Sequence, residues 1–160
     1  MPDHAGQAFS AHDHAQCTGD VLAQAQALAA AGGLRLTPVR KRVLEILLEA
    51  HRALGAYEVL NRLASEGFGN QPPVVYRALD FLVEHGLAHR IQRLNAFAAC
   101  MHPGTAHAPV FLICRTCHVV AEADGATVGA ALRTAAAGFV VERSTVEALG
   151  LCPACNRAAA

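Results

Sequence analysis

The sequence predicts an α+β protein of two small domains, a mostly helical one followed by one built on a short sheet. Up to about residue 86, apolar residues recur at helical spacing in segments that end at glycine or proline. After that point short runs rich in Val, Ile and Phe dominate, and a pair of cysteines follows two of them. A chain of 160 residues is long enough for two domains of this kind.

The charge of the chain is unevenly distributed. The formal net charge is zero, which by itself argues against nucleic acid as a partner. Residues 34–94, however, carry nine Lys and Arg against six Asp and Glu, a net charge of +3 in the helical region. Positive charge concentrated on helices favours binding to nucleic acid.

No segment has the features of a membrane span or a secretion signal. A bilayer needs an apolar run of about 18–20 residues, and the N-terminus lacks a basic stretch followed by an apolar core. We therefore expect a cytoplasmic protein with no membrane association, in which paired cysteines bind metal more often than they form disulfides.

The N-terminal region predicts a flexible arm over residues 1–19, which are polar and rich in histidine. The presence of His12, His14 and Cys17 leaves an extra metal site open there. Asp20 is predicted to cap a helix that runs over residues 21–31 and stops at two glycines.

Three further helices predict a helix-turn-helix. The first has Thr37 as N-cap with Pro38 at its first position, and the second runs from Ala56 to a stop at Gly67. The third begins at Pro72 and ends before Gly86. Tight turns between short helices are typical of DNA-binding modules of this kind, and the third helix would be the recognition helix.

Two short strands then predict a hairpin, LAHRI and AFAAC, so that residues 20–99 would form a winged-helix DNA-binding domain. Tyr76 and Arg77 lie near the start of the recognition helix, the end that usually meets base edges, although Arg77 suits a phosphate equally well. Other basic residues are candidate phosphate contacts, namely Arg35, Arg40, Lys41 and Arg42.

The C-terminal part predicts a small dimerisation domain. A hinge over residues 100–108 leads into a domain over 109–160, with strands in PVFLIC and HVVAEA, a helix in 124–138 and a strand in 139–152. A sheet this small leaves an exposed edge or face, which a second copy of the chain is expected to cover. The protein is therefore predicted to be a homodimer.

Two CxxC pairs predict a structural zinc site. Each pair follows an apolar strand, and two pairs supply four thiolates to one tetrahedral ion, the ligands being Cys114, Cys117, Cys152 and Cys155. The alternative is a redox dithiol at Cys-Pro-Ala-Cys, which would need the N-terminus of a following helix to lower a thiol pKa. Only five residues follow Cys155, and we expect these to be too few for such a helix.

A second donor set surrounds Cys100, where the predicted wing ends. His89 lies on the wing, and His107 and Glu122 lie on or next to the following strands. One thiolate, two imidazoles and a carboxylate suit zinc better than iron or manganese. Spacing alone leaves it open whether Cys100 is a ligand or simply a small buried side chain, and it gives no role to the nearby His102.

Several motifs resemble the ferric uptake regulator (Fur) family, most closely its zinc uptake regulator branch. They are RLTPVRKRVLEIL, AYEVLNRL, PPVVYRALDFLVEHGLAHRI, HAPVFLICRTCHVVAE and VEALGLCPAC, and the resemblance covers residues 20–155. The iron- and peroxide-sensing members usually show an HHxH cluster before the first CxxC. Here His107 stands alone in that segment, a departure that favours zinc.

The resemblance implies a dimeric winged-helix repressor in which the four paired cysteines hold structural zinc. It places regulatory zinc ligands at His89, Cys100, His107 and Glu122, and recognition-helix contacts at Tyr76 and Arg77. We therefore expect two zinc ions per monomer, with zinc as co-repressor at a pseudo-palindromic operator in double-stranded DNA that controls zinc uptake and homeostasis genes.

Three alternatives to a zinc-responsive repressor remain at this point. The same fold could sense iron, manganese or peroxide, and a zinc-binding module could serve only to dock another protein. A zinc hydrolase or deaminase is the alternative among enzymes, but the chain lacks HExxH, and HVVAE does not provide the HxE of the deaminases. The sequence therefore predicts a regulator rather than an enzyme.

Overall fold

The computed structural model describes Phe9 and residues 14–49, 52–105 and 107–159. The described residues divide into two compact units, one drawn from His12–Gly104 and the other from Thr105–Ala160 together with Phe9. No helix among them is long and apolar enough to cross a membrane.

The first unit contains four helices, α1 (His14–Ala31), α2 (Pro38–Leu48), α3 (Ala56–Ser65) and α4 (Pro72–Glu84). Helix α2 begins as predicted, because the Thr37 hydroxyl accepts a hydrogen bond from the backbone N–H of Arg40 at 3.4 Å. Gly55 is the N-cap of helix α3, and its N–H donates to the Glu58 carboxylate at 2.8 Å. Prolines at the first two positions begin α4.

A two-stranded hairpin completes this unit. Strands β1 (Ala88–Ile91) and β2 (Ala96–Ala99) pair antiparallel, with Ala88 opposite Ala99. Phe97 of β2 also exchanges two backbone hydrogen bonds of 2.8 Å with Leu54, which ties the hairpin to the segment before α3. The core beneath it is formed by side chains from α1 to α4 and the hairpin, including Leu44, Leu47, Leu79 and Leu82.

The second unit is a three-stranded sheet with two helices. Its elements are β3 (Val110–Cys114), β4 (Val120–Ala123), α5 (Ala126–Ala135), β5 (Val146–Gly150) and α6 (Pro153–Ala159). Strand β3 lies in the centre, antiparallel to β4 and parallel to β5. The helix and strand order confirms the predicted α+β class, a helix-turn-helix with a hairpin followed by a small mixed unit.

Three predictions about the helices and strands were wrong. Helix α1 begins at His14, so residues 14–19 of the predicted arm are helical and Asp20 lies inside the helix rather than capping it. Val21, Ala25 and Ala29 of this helix are buried in the core. Their packing outweighs the roughly 1 kcal/mol that Gly19 costs within the helix. Apart from Phe9, residues 1–13 of the arm lie outside the described part of the chain.

The other two errors concern the C-terminal end. Strand β5 covers only Val146–Gly150 of the predicted 139–152, because its partner β3 has only five residues to pair with. A helix, α6, begins directly after Cys152, although five residues after Cys155 were expected to be too few.

Candidate metal centres and nucleic-acid interface

The four paired cysteines meet at one end of the central sheet. Cys114 ends β3, and the parallel pairing places it opposite Gly150 at the end of β5. Both CxxC turns therefore follow the carboxyl ends of parallel strands, at the same end of the sheet. The four sulfur atoms all lie within 4.8 Å of one another, close enough to surround one tetrahedral ion.

The local backbone aims its N–H groups at these sulfurs. The N–H of Cys117 and that of Cys152 point at the Cys114 sulfur and lower the pKa of this thiol to about 6. The hydrogen bond with Cys152, together with burial, raises the pKa of Cys155 to about 12. Four thiols this close cannot all ionise at neutral pH without a cation, so the cluster fits structural zinc.

Helix α6 removes one argument against a redox role. Cys152 sits at the start of this helix, where its sulfur accepts from the N–H of Cys155 at 3.5 Å and its carbonyl from that of Asn156 at 2.9 Å. The helix that a dithiol site requires is therefore present. What excludes a lone Cys-Pro-Ala-Cys pair is the second pair, since the Cys117 and Cys152 sulfurs are only 3.7 Å apart.

A histidine and a carboxylate form a second set of donors in the same unit. The Nε2 atom of His107 lies 2.6 Å from Oε1 of Glu122, and its Nδ1 donates to the carbonyl of Thr105 at 2.6 Å. Among the described residues, Glu122 is the one charged side chain that is buried, with 5 % of its surface exposed. A buried carboxylate is costly without a cation, so this pair fits a metal.

The carbonyl of Thr105 was not predicted from the sequence. By holding a proton on Nδ1 it leaves Nε2 as the ligand atom, and histidine ligands are commonly oriented in this way. A backbone acceptor has no signature in the sequence, because any residue type provides one.

Two further donors lie on the hairpin of the first unit. His89 pairs with Ala98, and Cys100 follows β2 with its N–H bonded to the carbonyl of Leu87 at 3.0 Å. Residues 89 and 100 are therefore diagonal neighbours on one face of the hairpin, close enough for their side chains to approach each other. Cys100 is 1 % exposed.

The predicted recognition helix α4 presents its polar side chains to solvent. Tyr76 is 43 % exposed, and Arg77 is exposed with its Nε donating to the carbonyl of Pro73 at 3.2 Å. The opposite face buries Val75, Leu79 and Leu82. Both candidate contacts thus lie outside the core and near the start of the helix.

The basic residues around α2 differ in their surroundings. Arg35 is exposed, and Lys41 lies 3.8 Å from Glu45 in a loose surface pair. The guanidinium of Arg40 stacks on the ring of Phe81 at 3.7 Å and donates to the Arg35 carbonyl at 2.8 Å. Arg40 therefore links α2 to α4 as well as carrying charge.

Arg42, another predicted phosphate contact, is occupied by carboxylates. Its Nε and Nη2 atoms donate to Glu66 at 2.6 and 2.8 Å, and Nη1 donates to Glu49 at 2.8 Å and to Glu45 at 3.1 Å. The two bonds to Glu66, together with one from Arg62, lower the pKa of the Glu66 carboxyl to about 2. Because three acidic side chains use its donors, Arg42 joins α2 to the end of α3.

The residues left open as an extra metal site belong to neither donor set. His102 is half-buried in the segment after the hairpin, and Cys17 is half-buried on α1, where burial raises the pKa of its thiol. His12 and the side chain of His14 lie outside the described residues.

Comparison with known proteins agrees with this architecture. The model of the ferric uptake regulator family matches residues 31–148. The zinc uptake regulation protein of Escherichia coli (strain K12) is 37 % identical over 141 residues, which cover 86 % of this chain and 82 % of that protein.

Solved structures of zinc uptake regulators are also similar to this chain. A zinc uptake regulator complexed with zinc and DNA aligns with a TM-score of 0.83 at 36 % identity, over 89 % of this chain and 97 % of the other. Holo XcZur aligns with a TM-score of 0.77 at 40 % identity, over 89 % and 99 %. This chain belongs to the ferric uptake regulator family.

Proposed function

We propose that this protein is a zinc-responsive DNA-binding repressor of zinc uptake and homeostasis genes, acting in the cytoplasm as a homodimer. The observation that carries the proposal is similarity to zinc uptake regulators along nearly the whole chain, at 37 % identity over 86 % of its length. One solved relative binds both zinc and DNA. The family consists of regulators, which argues against the hydrolase and deaminase alternatives.

The regulatory zinc ligands in this proposal are His89 and Cys100 of the first unit with His107 and Glu122 of the second. Their chemistry supports the choice, since one thiolate, two imidazoles and a carboxylate satisfy a tetrahedral zinc ion. Together with the four-cysteine cluster, the chain carries donors for two zinc ions. Zinc at the regulatory site supplies a cross-link between residues that are distant in sequence.

Such a cross-link explains repression. His89 and Cys100 belong to the unit that carries the recognition helix, whereas His107 and Glu122 belong to the unit predicted to dimerise. When all four bind the same ion, the recognition helices of a dimer are held at one spacing, which fits successive major grooves of a pseudo-palindrome. By linkage, zinc and DNA then strengthen each other's binding by the same factor.

The proposed DNA contacts are polar and basic side chains of the first unit. Tyr76 and Arg77 read base edges in the major groove, with Arg77 suited to guanine. Arg35, Arg40 and Lys41 bind phosphates and contribute affinity that is independent of sequence. Arg42 is left out of this set, because its donors are occupied by Glu45, Glu49 and Glu66.

A titration of operator binding against metal tests the proposal. DNA from the promoters next to the gene for this chain is titrated with protein at buffered free zinc, iron(II) or manganese(II). Zinc is expected to drive binding at far lower free concentration than the other two. Cys100→Ser is expected to abolish the zinc dependence while the dimer and its four-cysteine zinc remain.

Cys17→Ser is the matched control, since it removes a half-buried thiol outside both donor sets. This variant should bind DNA with the zinc dependence of the wild type. Iron or manganese acting as well as zinc would instead favour the iron- and manganese-sensing alternative. If the protein failed to bind promoter DNA at every zinc concentration, the result would favour a zinc module that docks another protein.

A further inference from the structure

We propose that Gly125 is a positioning residue for the regulatory zinc site, because its missing side chain lets the backbone at Ala108 approach and thereby places His107 against Glu122. The inference rests on the proposed function for the identity of the site. It concerns a contact within the second unit that lies next to two of the four ligands.

The contact at Gly125 leaves no room for a methyl group. A Cβ atom built there would lie 1.8 Å from the carbonyl oxygen of Ala108, 2.9 Å from its carbonyl carbon and 3.1 Å from Cγ2 of Val110. The first two are backbone atoms, which cannot rotate away as the end of a side chain can. Any larger residue at position 125 must therefore force the Ala108 backbone and position 125 apart.

The backbone conformation of Gly125 does not itself require glycine. Its φ of −95° and ψ of 10° are open to other residues. The requirement is therefore one of space and not of conformation. This distinguishes Gly125 from glycines such as Gly138, whose φ of +91° is the reason for glycine and around which a Cβ would meet nothing within 4 Å.

A second buried glycine faces the same residue. One turn along α5, a Cβ atom at Gly129 would lie 3.5 Å from the Cβ of Ala108, an ordinary contact distance. The N–H of Gly129 donates to the carbonyl of Gly125 at 2.7 Å, so the two glycines bound the first turn of α5. Ala108 thus packs against a part of the helix surface that has no side chains.

The position of Ala108 decides where His107 lies. Val110 pairs with Ala123, so continuing the antiparallel register brings Ala108 opposite Gly125. His107 directly precedes Ala108 in the chain. Its side chain reaches Glu122, where Nε2 lies 2.6 Å from Oε1. An outward shift of the Ala108 backbone moves the imidazole away from a carboxylate that is fixed in β4.

Metal affinity is sensitive to such shifts. Changes in residues that orient metal ligands typically weaken binding about 10- to 100-fold. We expect Gly125→Ala to weaken zinc binding at the regulatory site by this factor, while the zinc held by the four cysteines stays in place. The measurement is a competition titration with a chromophoric zinc chelator on the full-length protein.

Cobalt(II) provides a readout that a general loss of stability would not move. Its visible and thiolate charge-transfer absorption in the regulatory site depends on the number and geometry of its ligands. Gly125→Ala is expected to alter these bands. Gly129→Ala is the matched control, since its Cβ has room and alanine favours the helix, and its affinity and spectrum should match the wild type.

Gly129→Leu is the second variant, for the case that Gly125→Ala does not fold. It presses on Ala108 from the helix side and should also weaken the regulatory site. Wild-type affinity and spectrum in both Gly125→Ala and Gly129→Leu would overturn the inference. If Cys100→Ser also kept wild-type zinc binding, the error would lie in the proposed ligand set and not in the role of Gly125.

Discussion

At the scale of single residues, the end of helix α5 contains an avoidable strain. Ala137 has a φ of +48° and is followed by Gly138 at +91°. The left-handed position after a helix is usually glycine, because a Cβ there collides with the backbone. Alanine at this position therefore costs stability for a reason that is independent of metal binding.

We expect Ala137→Gly to raise the free energy of unfolding by roughly 0.5–1 kcal/mol, as relief of the left-handed strain exceeds the added freedom of the unfolded chain. Urea unfolding of the zinc-loaded protein measures this change in the free energy of unfolding. Ala131→Gly, in the exposed interior of the same helix, is the matched control and should lower stability by about 1 kcal/mol. Equal effects of the two substitutions would contradict this account.

Single residues also show how far the sequence predicts the sites. The four structural cysteines follow from spacing alone, because two CxxC turns after apolar strands are typical of one tetrahedral zinc site. Glu122 does not follow in this way. Its place beside His107 depends on the register of β3 with β4, and no local pattern determines a register across the turn that contains Cys117. Donor chemistry made Glu122 a candidate, and resemblance to a family gave it the role of a regulatory ligand.

At the scale of elements, helix α2 carries adjacent basic residues with different neighbours. Lys41 has one loose partner, while Arg42 is bound by three carboxylates, those of Glu45, Glu49 and Glu66. In the sequence, Lys41 and Arg42 are adjacent and each contributes one positive charge, so charge alone does not distinguish them. Only the structure separates an exposed cation with one loose partner from a cation that joins two helices.

The two residues should therefore respond differently to the same substitution. Lys41→Met is expected to remove about one phosphate contact with little loss of stability. The slope of the logarithm of the operator-binding constant against the logarithm of salt concentration should then become shallower by about 1. Arg42→Met is expected to leave that slope unchanged and to lower stability, since it removes the hydrogen bonds that join Glu45, Glu49 and Glu66 across two helices and leaves Glu49 and Glu66 with Arg62. Salt-titrated fluorescence anisotropy and urea unfolding measure the two effects, and a reversed pattern would restore Arg42 to the DNA interface.

Elements also account for the boundaries that were wrong. The residues after α5 include Phe139, Val140 and Val141, which favour strands by composition. They are not paired, because the five residues of β3 are already matched by Val146–Gly150. Strand length is thus decided by the partner and not by the propensity of the segment itself. Helix α6 was missed because a helix of seven residues depends on the cysteine cluster at its start.

At the scale of the whole molecule, the four-cysteine site joins the C-terminal end to the centre of the sheet. Cys155→Ser is expected to reduce zinc from two ions per chain to one and to destabilise the second unit, because metal-binding free energy at a structural site is folding free energy. Elemental analysis and analytical ultracentrifugation measure the zinc and the dimer. Asn156→Ser, next along α6, should change neither. A stable dimer of Cys155→Ser with one zinc would show that the site does not hold the unit together.

The parallel pairing of β3 with β5 has a consequence for synthesis of the protein. Strand β3 is central, yet one of its two neighbours is the last strand of the sheet to be made. Until residues 146–150 emerge from the ribosome, one edge of β3 stays open, and the zinc cluster cannot close before residue 155 follows. The first unit has all its own partners by residue 104 and can fold well before that. A newly made chain therefore acquires its DNA-reading half first and its structural zinc last, so zinc shortage during translation would leave the second half unfinished.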